Sequence, residues 1–150
     1  LANTDFDLKK HFDFKMIEVK KDYDPQIPMI PCESAKIQQV LLNIFRNGAE
    51  AMQEAGTENP EFTIRTYTHP EQHAVCLEIS DNGPGMDETV MKRVFEPFFT
   101  TKPVGIGTGL GLSVSYFIIT ENHGGQMRVE SSPGNGTKFI IHLPLERKTG

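Results

Sequence analysis

A glycine-rich stretch that runs directly into a helical pattern constrains this chain more than any other feature. In residues 102–115 (KPVGIGTGLGLSVS), four glycines occupy every second position from Gly105 to Gly111. Apolar residues at helical spacing begin directly behind them, at Val114. Glycine frees the backbone, and a helix N-terminus presents unpaired N–H groups and the positive end of its dipole. The stretch therefore favours a phosphate-binding loop, and a mobile surface loop is the alternative.

Two common phosphate loops do not fit these glycines. The dinucleotide pattern G-x-G-x-x-G would place its third glycine at Leu110, Leu112 or Val114, depending on where the count starts. A Walker loop requires G-K-[ST], which occurs nowhere in the chain, and Lys102 precedes the glycines instead of following them. A phosphate loop in this chain must therefore belong to a different fold.

Length and composition predict one soluble domain over residues 1–150, since a chain of this size buries roughly 70% of the surface that its unfolded form exposes. No apolar run approaches the ~20 residues of a membrane span. The net charge is −5 without a basic cluster, which argues against nucleic acid as a partner. Cys32 and Cys76 show neither zinc-like nor disulfide-framework spacing, so a reducing cytoplasm is the expected compartment. The N-terminus starts abruptly without signal-peptide character, and we interpret the chain as a fragment of a longer protein.

Residues 34–55 predict a long helix with two different faces. Ser34 is expected to cap it, and Gly56 to end it after about Ala55. Apolar residues at intervals of three and four form a core face: Ile37, Val40, Leu41, Ile44, Phe45 and Met52. A polar stripe centred on two asparagines consists of Gln39, Asn43, Arg46, Asn47 and Glu50. Amide oxygens are neutral ligands for Mg²⁺, so the stripe predicts a site for a metal–phosphate complex, with an ordinary solvated face as the alternative.

The strands are predicted mostly as neighbouring pairs with helices between the pairs. A first strand is expected within residues 14–23, one hairpin from residues 62–68 and 75–80, and a second from residues 126–131 and 138–143. This order predicts an α+β fold in which a mixed, mostly antiparallel sheet is covered on one face by about three helices.

The segment Asp81-Asn82-Gly83-Pro84-Gly85-Met86 follows a predicted strand and is too rich in glycine and proline to continue it. One interpretation is a turn in which the Asp81 carboxylate accepts a local backbone hydrogen bond. The other is an adenine site. An ionised Asp81 would accept a hydrogen bond from the exocyclic amine of adenine, whereas guanine presents a carbonyl there and would be rejected.

The next segment is expected to support the glycine-rich loop. Asp87 is predicted to cap a short helix that runs to about Val94. Three phenylalanines follow within the sequence FEPFFTTK, and we expect all of them to pack as an anchor for the loop. Lys102 can then reach a phosphate as a point charge.

Five motifs together resemble the N, G1, F, G2 and G3 boxes of the bacterial sensor histidine kinases. They are QQVLLNIFRNGAEAM, DNGPGM, FEPFFTTK, GIGTGLGLS and GTKF, and their order and approximate spacing match as well. The resemblance covers roughly residues 15–145. It implies the Bergerat-type ATP-binding fold that is shared with gyrase, the Hsp90 chaperones and MutL, an α/β sandwich with the nucleotide between helices and sheet.

The resemblance also implies the site residues. Asn47 would be the principal Mg²⁺ ligand with Asn43 assisting, and Asp81 would recognise adenine. The implied ATP-binding set is Asn43, Asn47, Asp81, Gly83, Gly85, Met86, Lys102, Gly107, Thr108, Gly109, Leu110, Gly111 and Thr137. Glu50 stands where many members carry Lys or Arg, so Arg46 and Lys102 would supply positive charge, and with Asn47 they are the expected catalytic residues. Gly48 stands where Ala is usual and should cost the helix about 1 kcal/mol unless something packs close to it.

The resemblance implies transfer of the ATP γ-phosphate to a histidine. In the ATPases of this fold a glutamate activates water, and it sits where this chain has Asn43, which cannot act as that base. A nucleotide sensor without catalysis is the alternative. None of the five histidines has the sequence context of an acceptor. We therefore expect a monomeric, cytoplasmic fragment that acts on a dimerisation and phosphoacceptor domain of the same parent protein. A response regulator would act downstream. For the parent protein, the sequence leaves two alternatives, with and without an anchor in the inner membrane.

Overall fold

A five-stranded sheet forms the base of the structure. The computed structural model describes residues 16–100 and 111–146. The strands are β1 (Glu18–Tyr23), β2 (Glu61–His69), β3 (Ala74–Asp81), β4 (Gln126–Ser131) and β5 (Thr137–Pro144), and their order in the sheet is β1-β2-β3-β5-β4. The β1–β2 pair is parallel and the other three pairs are antiparallel. The predicted mixed, mostly antiparallel sheet is confirmed.

Three helical segments pack on the sheet, as predicted. They are α1 (Ser34–Ala55), α2 (Glu88–Arg93) and α3 (Gly111–Phe117), and one π-helical turn continues α3 over Ile118–Asn122. Within the described ranges, no helix combines the length and apolar character needed to cross a membrane.

The core lies between α1 and the alternate residues of the central strands. The apolar face of α1 buries Val40, Ile44, Phe45, Ala49 and Met52. These side chains form one cluster with Phe62 of β2, Ile79 of β3, and Phe139 and Ile141 of β5. Because successive strand residues point to opposite faces, the same alternation that places Ile79 in the core also places Asp81 on the helix side of the sheet. The helix periodicity leaves Asn43, Arg46 and Asn47 half-buried along the edge of this core.

The ends of α1 and the start of α2 can be compared with the capping residues that were predicted. Ser34 is the first residue of α1 and Glu33 occupies the cap position without a side-chain capping bond, so the prediction of Ser34 as the cap is wrong by one residue. The Glu33 N–H is instead bound by His123 Nε2 at 3.0 Å. Gly56 ends the helix in the left-handed conformation with φ +63°, and Asp87 Oδ1 caps α2 by accepting from the Val90 N–H at 2.8 Å, as predicted.

The three phenylalanines after α2 do not form one anchor. Phe95 packs against Tyr116 and Phe139, with ring centroids 4.9 and 6.2 Å apart. Phe99 lies under the Arg93 guanidinium, which is 4.6 Å from the ring centre. Phe98 is 74% exposed, so the prediction that all three pack is wrong. The physical reason is its backbone: a φ of +66° reverses the chain and turns this side chain away from the core.

Close packing explains why a glycine, Gly48, stands in the middle of α1. A Cβ at this position would lie 2.7 Å from Phe62 Cε1 and 3.1 Å from Asp81 Oδ2. Phe62 is 1% exposed, and its ring meets Phe45 edge to face at a centroid distance of 5.1 Å, which leaves it little room to move. The glycine therefore lets the helix lie close to β2 and β3, and this contact offsets its low helix propensity.

We expect Gly48→Ala to lower the free energy of unfolding, because overpacking costs about 1–3 kcal/mol and exceeds the helix-propensity gain of about 1 kcal/mol. In a Phe62→Leu background the same substitution should instead stabilise the chain, since the ring that it meets is gone. Denaturant unfolding of the two single variants and the double variant measures this coupling. Equal effects of Gly48→Ala in both backgrounds would contradict the close approach.

Candidate functional site

Three parts of the fold meet at the polar stripe of α1. Asn43, near the middle of the helix, contacts Gly111 at the start of α3. One turn further along, Gly48 lies against the Asp81 carboxylate at the end of β3. Asn47 stands between these two contacts on the same stripe. The helix thus brings the predicted amide pair and the predicted adenine-reading carboxylate to one region.

The Asn43 side chain has a defined orientation. Its Nδ2 donates to the Gly111 carbonyl and to Ser115 Oγ, both at 3.0 Å. Ser115 Oγ in turn donates to the Gly111 carbonyl at 2.9 Å. An amide nitrogen carries two N–H groups, so both are used on α3 and Oδ1 is left as the acceptor atom.

Asn47 and Arg46 are half-buried, and neither makes a hydrogen bond or ion pair to another residue within 16–100 or 111–146. An amide oxygen at Asn47 is therefore available as a neutral ligand for Mg²⁺, and so is Oδ1 of Asn43. The two residues fit a Mg²⁺ ion that accompanies a phosphate group. Arg46 offers a guanidinium next to them, which suits phosphate through paired N–H donors.

Burial raises the pKa of the Asp81 carboxyl above its ordinary value. Hydrogen bonds from the backbone N–H groups of Gly83 and Thr137 act in the opposite direction. Gly83 donates to Oδ1 at 2.9 Å, which is the local turn bond expected from the sequence. The other oxygen, Oδ2, lies on the side of Gly48. A carboxylate held in this way retains acceptor capacity toward a donor in the groove.

The loop after Asp81 is tied to the turn between β4 and β5. The Met86 N–H donates to Ser131 Oγ at 2.8 Å, and the Pro84 carbonyl accepts from the Gly134 N–H at 2.8 Å. Gly85 has φ +72°, and a Cβ there would collide with the Ser132 carbonyl oxygen. Gly85 therefore serves close packing of the loop against this turn. Thr137 begins β5 directly opposite Asp81.

Five of the expected ATP-binding residues lie outside the described residues. They are Lys102, Gly107, Thr108, Gly109 and Leu110. Among the glycines of the loop, Gly111 falls within the description, as the first residue of α3.

Four contributors to the site were not identified from the sequence. Phe62 supports Gly48, and Ser115 binds Asn43. Asn82 bridges the loop to the start of β2, because its Oδ1 accepts from the Glu61 N–H at 2.8 Å and its Nδ2 donates to the Asn59 carbonyl at 3.0 Å. His123 joins the π-helical turn to the start of α1. Ser115 is buried and therefore needs a partner, but its burial is visible only in the structure.

Residues 32–147 match the family model described as histidine kinase-, DNA gyrase B- and HSP90-like ATPase. The chain belongs to this ATPase family. The family match spans the helix with the amide pair, the Asp81 loop and the strand with Thr137, so the described site lies entirely within it.

Among relatives in the family, Sporulation kinase E of Bacillus subtilis is 43% identical over 131 residues, which are 87% of this chain and 17% of that protein. The structure is similar to the catalytic domain of histidine kinase ThkA, with a TM-score of 0.77, 28% identity, and coverage of 97% of this chain and 90% of that one. It is also similar to ThkA in complex with the response regulator protein TrrA, with a TM-score of 0.71, 28% identity, and coverage of 96% and 39%. The chain spans 15% of Sensor kinase CckA of Brucella abortus and 39% of the sensory histidine kinase/phosphatase NtrB of Vibrio alginolyticus, so it covers less than half of each of these relatives.

We expect Asp81→Asn to raise the thermal stability of the nucleotide-free chain at neutral pH. A raised pKa means that the folded chain binds this proton more tightly than the unfolded chain does. Stability is therefore lost as pH rises from the unfolded value of about 3.9 through the folded pKa, and it stays lower above that. Asparagine does not ionise, and its oxygen can still accept from Gly83.

Thermal unfolding of both proteins between pH 3.5 and 8, a range set around the ordinary pKa of about 3.9, measures the difference. The gap in melting temperature should widen as pH rises and close at the acid end. Asp87→Asn is the matched control, because asparagine is an equally good cap at that exposed position. A constant gap at every pH would contradict a half-buried Asp81 that ionises with a raised pKa.

Proposed function

We propose that this chain is the ATP-binding catalytic domain of a sensor histidine kinase, which transfers the γ-phosphate of ATP to a histidine on a separate dimerisation domain of its parent protein. Family membership and the likeness to the ThkA catalytic domain support the assignment. The observation that carries it is the state of Asn43, whose amide nitrogen is fully used in holding α3. The organisation of residues 1–150 as one domain, monomeric and cytoplasmic, belongs to the same proposal.

Adenine recognition rests on Asp81. Its carboxylate lies on the helix side of the sheet, and Gly83 occupies one of its oxygens with a backbone N–H. The remaining acceptor capacity suits the exocyclic amine of adenine and opposes the carbonyl that guanine places there. The Asp81 loop is held to the β4–β5 turn through Pro84 and Met86, so the carboxylate stands on a supported segment.

The amide pair would hold Mg²⁺ with the phosphates. Asn47 is the principal candidate ligand, and Asn43 would assist through Oδ1, the atom that its contacts with α3 leave open. When bound, such an ion neutralises phosphate charge and orients the transferring group. Arg46, from the same stripe, and Lys102 are the proposed sources of further positive charge on the phosphates.

The absence of a base at residue 43 favours transfer over hydrolysis. Hydrolysis in this fold requires a side chain that takes a proton from water, and an amide cannot do so. A histidine acceptor brings its own nucleophilic nitrogen, so positioning and charge stabilisation are what the domain must supply. The solved complex of ThkA with a response regulator protein supports a response regulator as the downstream partner. An inner-membrane anchor of the parent would lie in other segments.

Calorimetry should show that the chain binds MgATP more tightly than MgGTP. Asp81→Asn replaces part of the acceptor with a donor, and should weaken ATP binding by about 1–3 kcal/mol, the cost of an unmade buried hydrogen bond. Asp87→Asn, in the cap of α2, should leave the affinity unchanged. Equal affinities of the unaltered chain for ATP and GTP would end the adenine assignment.

Phosphotransfer with radiolabelled ATP tests the kinase assignment directly. The chain alone should acquire no acid-labile label, because an acceptor needs both reach and an in-line approach to the γ-phosphate. Addition of the dimerisation domain of the parent protein should produce label on that domain. Asn47→Ala should abolish transfer, whereas Gln39→Ala, an exposed change on the same stripe, should not.

ATP binding without transfer to that domain would favour a nucleotide sensor instead. Label on the chain alone would contradict a separate acceptor, and the labelled histidine would then have to be mapped.

A further inference from the structure

Ser115 and Asn43 form a hydrogen-bonded joint between the first turn of α3 and the helix that carries the amide pair. Ser115 is 0% exposed, although it is a polar residue. Its hydroxyl donates to the Gly111 carbonyl at 2.9 Å and accepts from Asn43 Nδ2 at 3.0 Å. We propose that Ser115 is a positioning residue, which fixes Gly111 against α1 and turns Oδ1 of Asn43 toward the bound metal–phosphate complex.

The cross-helix bond distinguishes Ser115 from an ordinary helical hydroxyl. Serine and threonine in helices commonly bond the carbonyl four residues earlier. Thr120 does this, with Oγ1 donating to the Tyr116 carbonyl at 2.8 Å, and it has no bond to α1 among the residues that the structure describes. Ser115 makes the same bond to its own helix but also accepts from Asn43. Its burial favours this second bond, because water cannot reach the acceptor side of the hydroxyl oxygen.

The joint sets a chemical requirement at residue 43. The Gly111 carbonyl accepts from the side-chain nitrogen of Asn43 at 3.0 Å, in addition to the Ser115 hydroxyl. A carboxylate at this position would place an oxygen against that carbonyl, and two acceptors repel each other. The first turn of α3 therefore favours an amide at 43, whose nitrogen donates to the Gly111 carbonyl and to Ser115 Oγ while its oxygen makes neither bond.

A second tie lies at the other end of this helical segment, and together the two ties set α3 and its π-helical turn antiparallel to α1. His123 Nδ1 donates to the Ile118 carbonyl at 2.9 Å, and His123 Nε2 accepts from the Glu33 N–H at 3.0 Å. The π-helical turn is thus tied to the start of α1. The Asn43–Ser115 joint is the tie that lies beside the site, so its loss should affect the site more than the fold.

Hydrogen exchange of the nucleotide-free chain tests the joint itself. In Ser115→Ala the amides of residues 115–117 should exchange about fivefold faster, the factor that corresponds to one net hydrogen bond. Thr120→Ala, which removes a hydroxyl with an intrahelical bond alone, should change exchange in α3 less than twofold. Equal behaviour of the two variants would overturn the proposal.

A second pair of variants keeps the test decisive if Ser115→Ala does not fold. Asn43→Asp preserves side-chain size but removes both donors, and should accelerate exchange in α3. Asn47→Asp makes the same chemical change one turn later, and should leave exchange in α3 as it is. Acceleration by both variants, or by neither, would overturn the joint.

The consequence for the ligand rests on the proposed function and is measured separately by calorimetry. Ser115→Ala should weaken MgATP binding about fivefold, the same single-bond factor, and leave ADP binding in EDTA within twofold. In the Asn43→Ala background it should add no further loss. Equal losses with and without metal, or multiplied losses in the double variant, would overturn the positioning role. Failure of the unaltered chain to bind MgATP would refute the proposed function, while the exchange result would still decide the joint.

Discussion

The close approach of α1 to β2 and β3 is the contact on which the site depends. Gly48 permits it, because the Phe62 ring occupies the space that any side chain at residue 48 would need. The same contact brings the Asp81 carboxylate to the helix at Gly48, the residue that follows Asn47. A wider separation would move the carboxylate away from the helix that carries the amide pair. The packing of the core therefore also sets the geometry of the proposed ligand site.

The position of the Asp81 carboxylate lowers the stability of the ligand-free fold. Burial disfavours its ionised form, and the N–H groups of Gly83 and Thr137 offset this only in part, since its pKa remains raised. A residue selected for the stability of the empty fold would not be an aspartate here. A carboxylate makes physical sense when a ligand supplies the missing donor. Groups that are unfavourable in the empty fold and satisfied by a ligand are typical of functional sites.

Periodicity and local signals were sufficient to predict most of the fold. The alternation of apolar residues predicted the two hairpins, and the caps at Asp87 and Gly56 follow from side-chain and backbone chemistry within a few residues. The wrong predictions concern the start of α1 and the packing of Phe98. The predicted start of α1 was wrong by one residue, and the Glu33 N–H at the cap position is bound by His123, far along the chain. Phe98 is exposed because of a left-handed backbone that its sequence does not announce.

The site, too, has a part that could be predicted from the sequence and a part that only the structure shows. The resemblance to the sensor histidine kinases assigned Asn43, Asn47 and Asp81 to one nucleotide site without any structure. The orientation of the Asn43 amide depends instead on Ser115 and Gly111, which come from another helix. This orientation bears on how transfer and hydrolysis separate within the family. If a glutamate replaced Asn43, as the resemblance implies for the ATPases, the Gly111 carbonyl would keep the Ser115 hydroxyl as a donor, but both it and Ser115 Oγ would lose the amide donor of residue 43. A change from transfer to hydrolysis therefore requires a new partner for the first turn of α3 as well as a new base, because residue 43 cannot supply both.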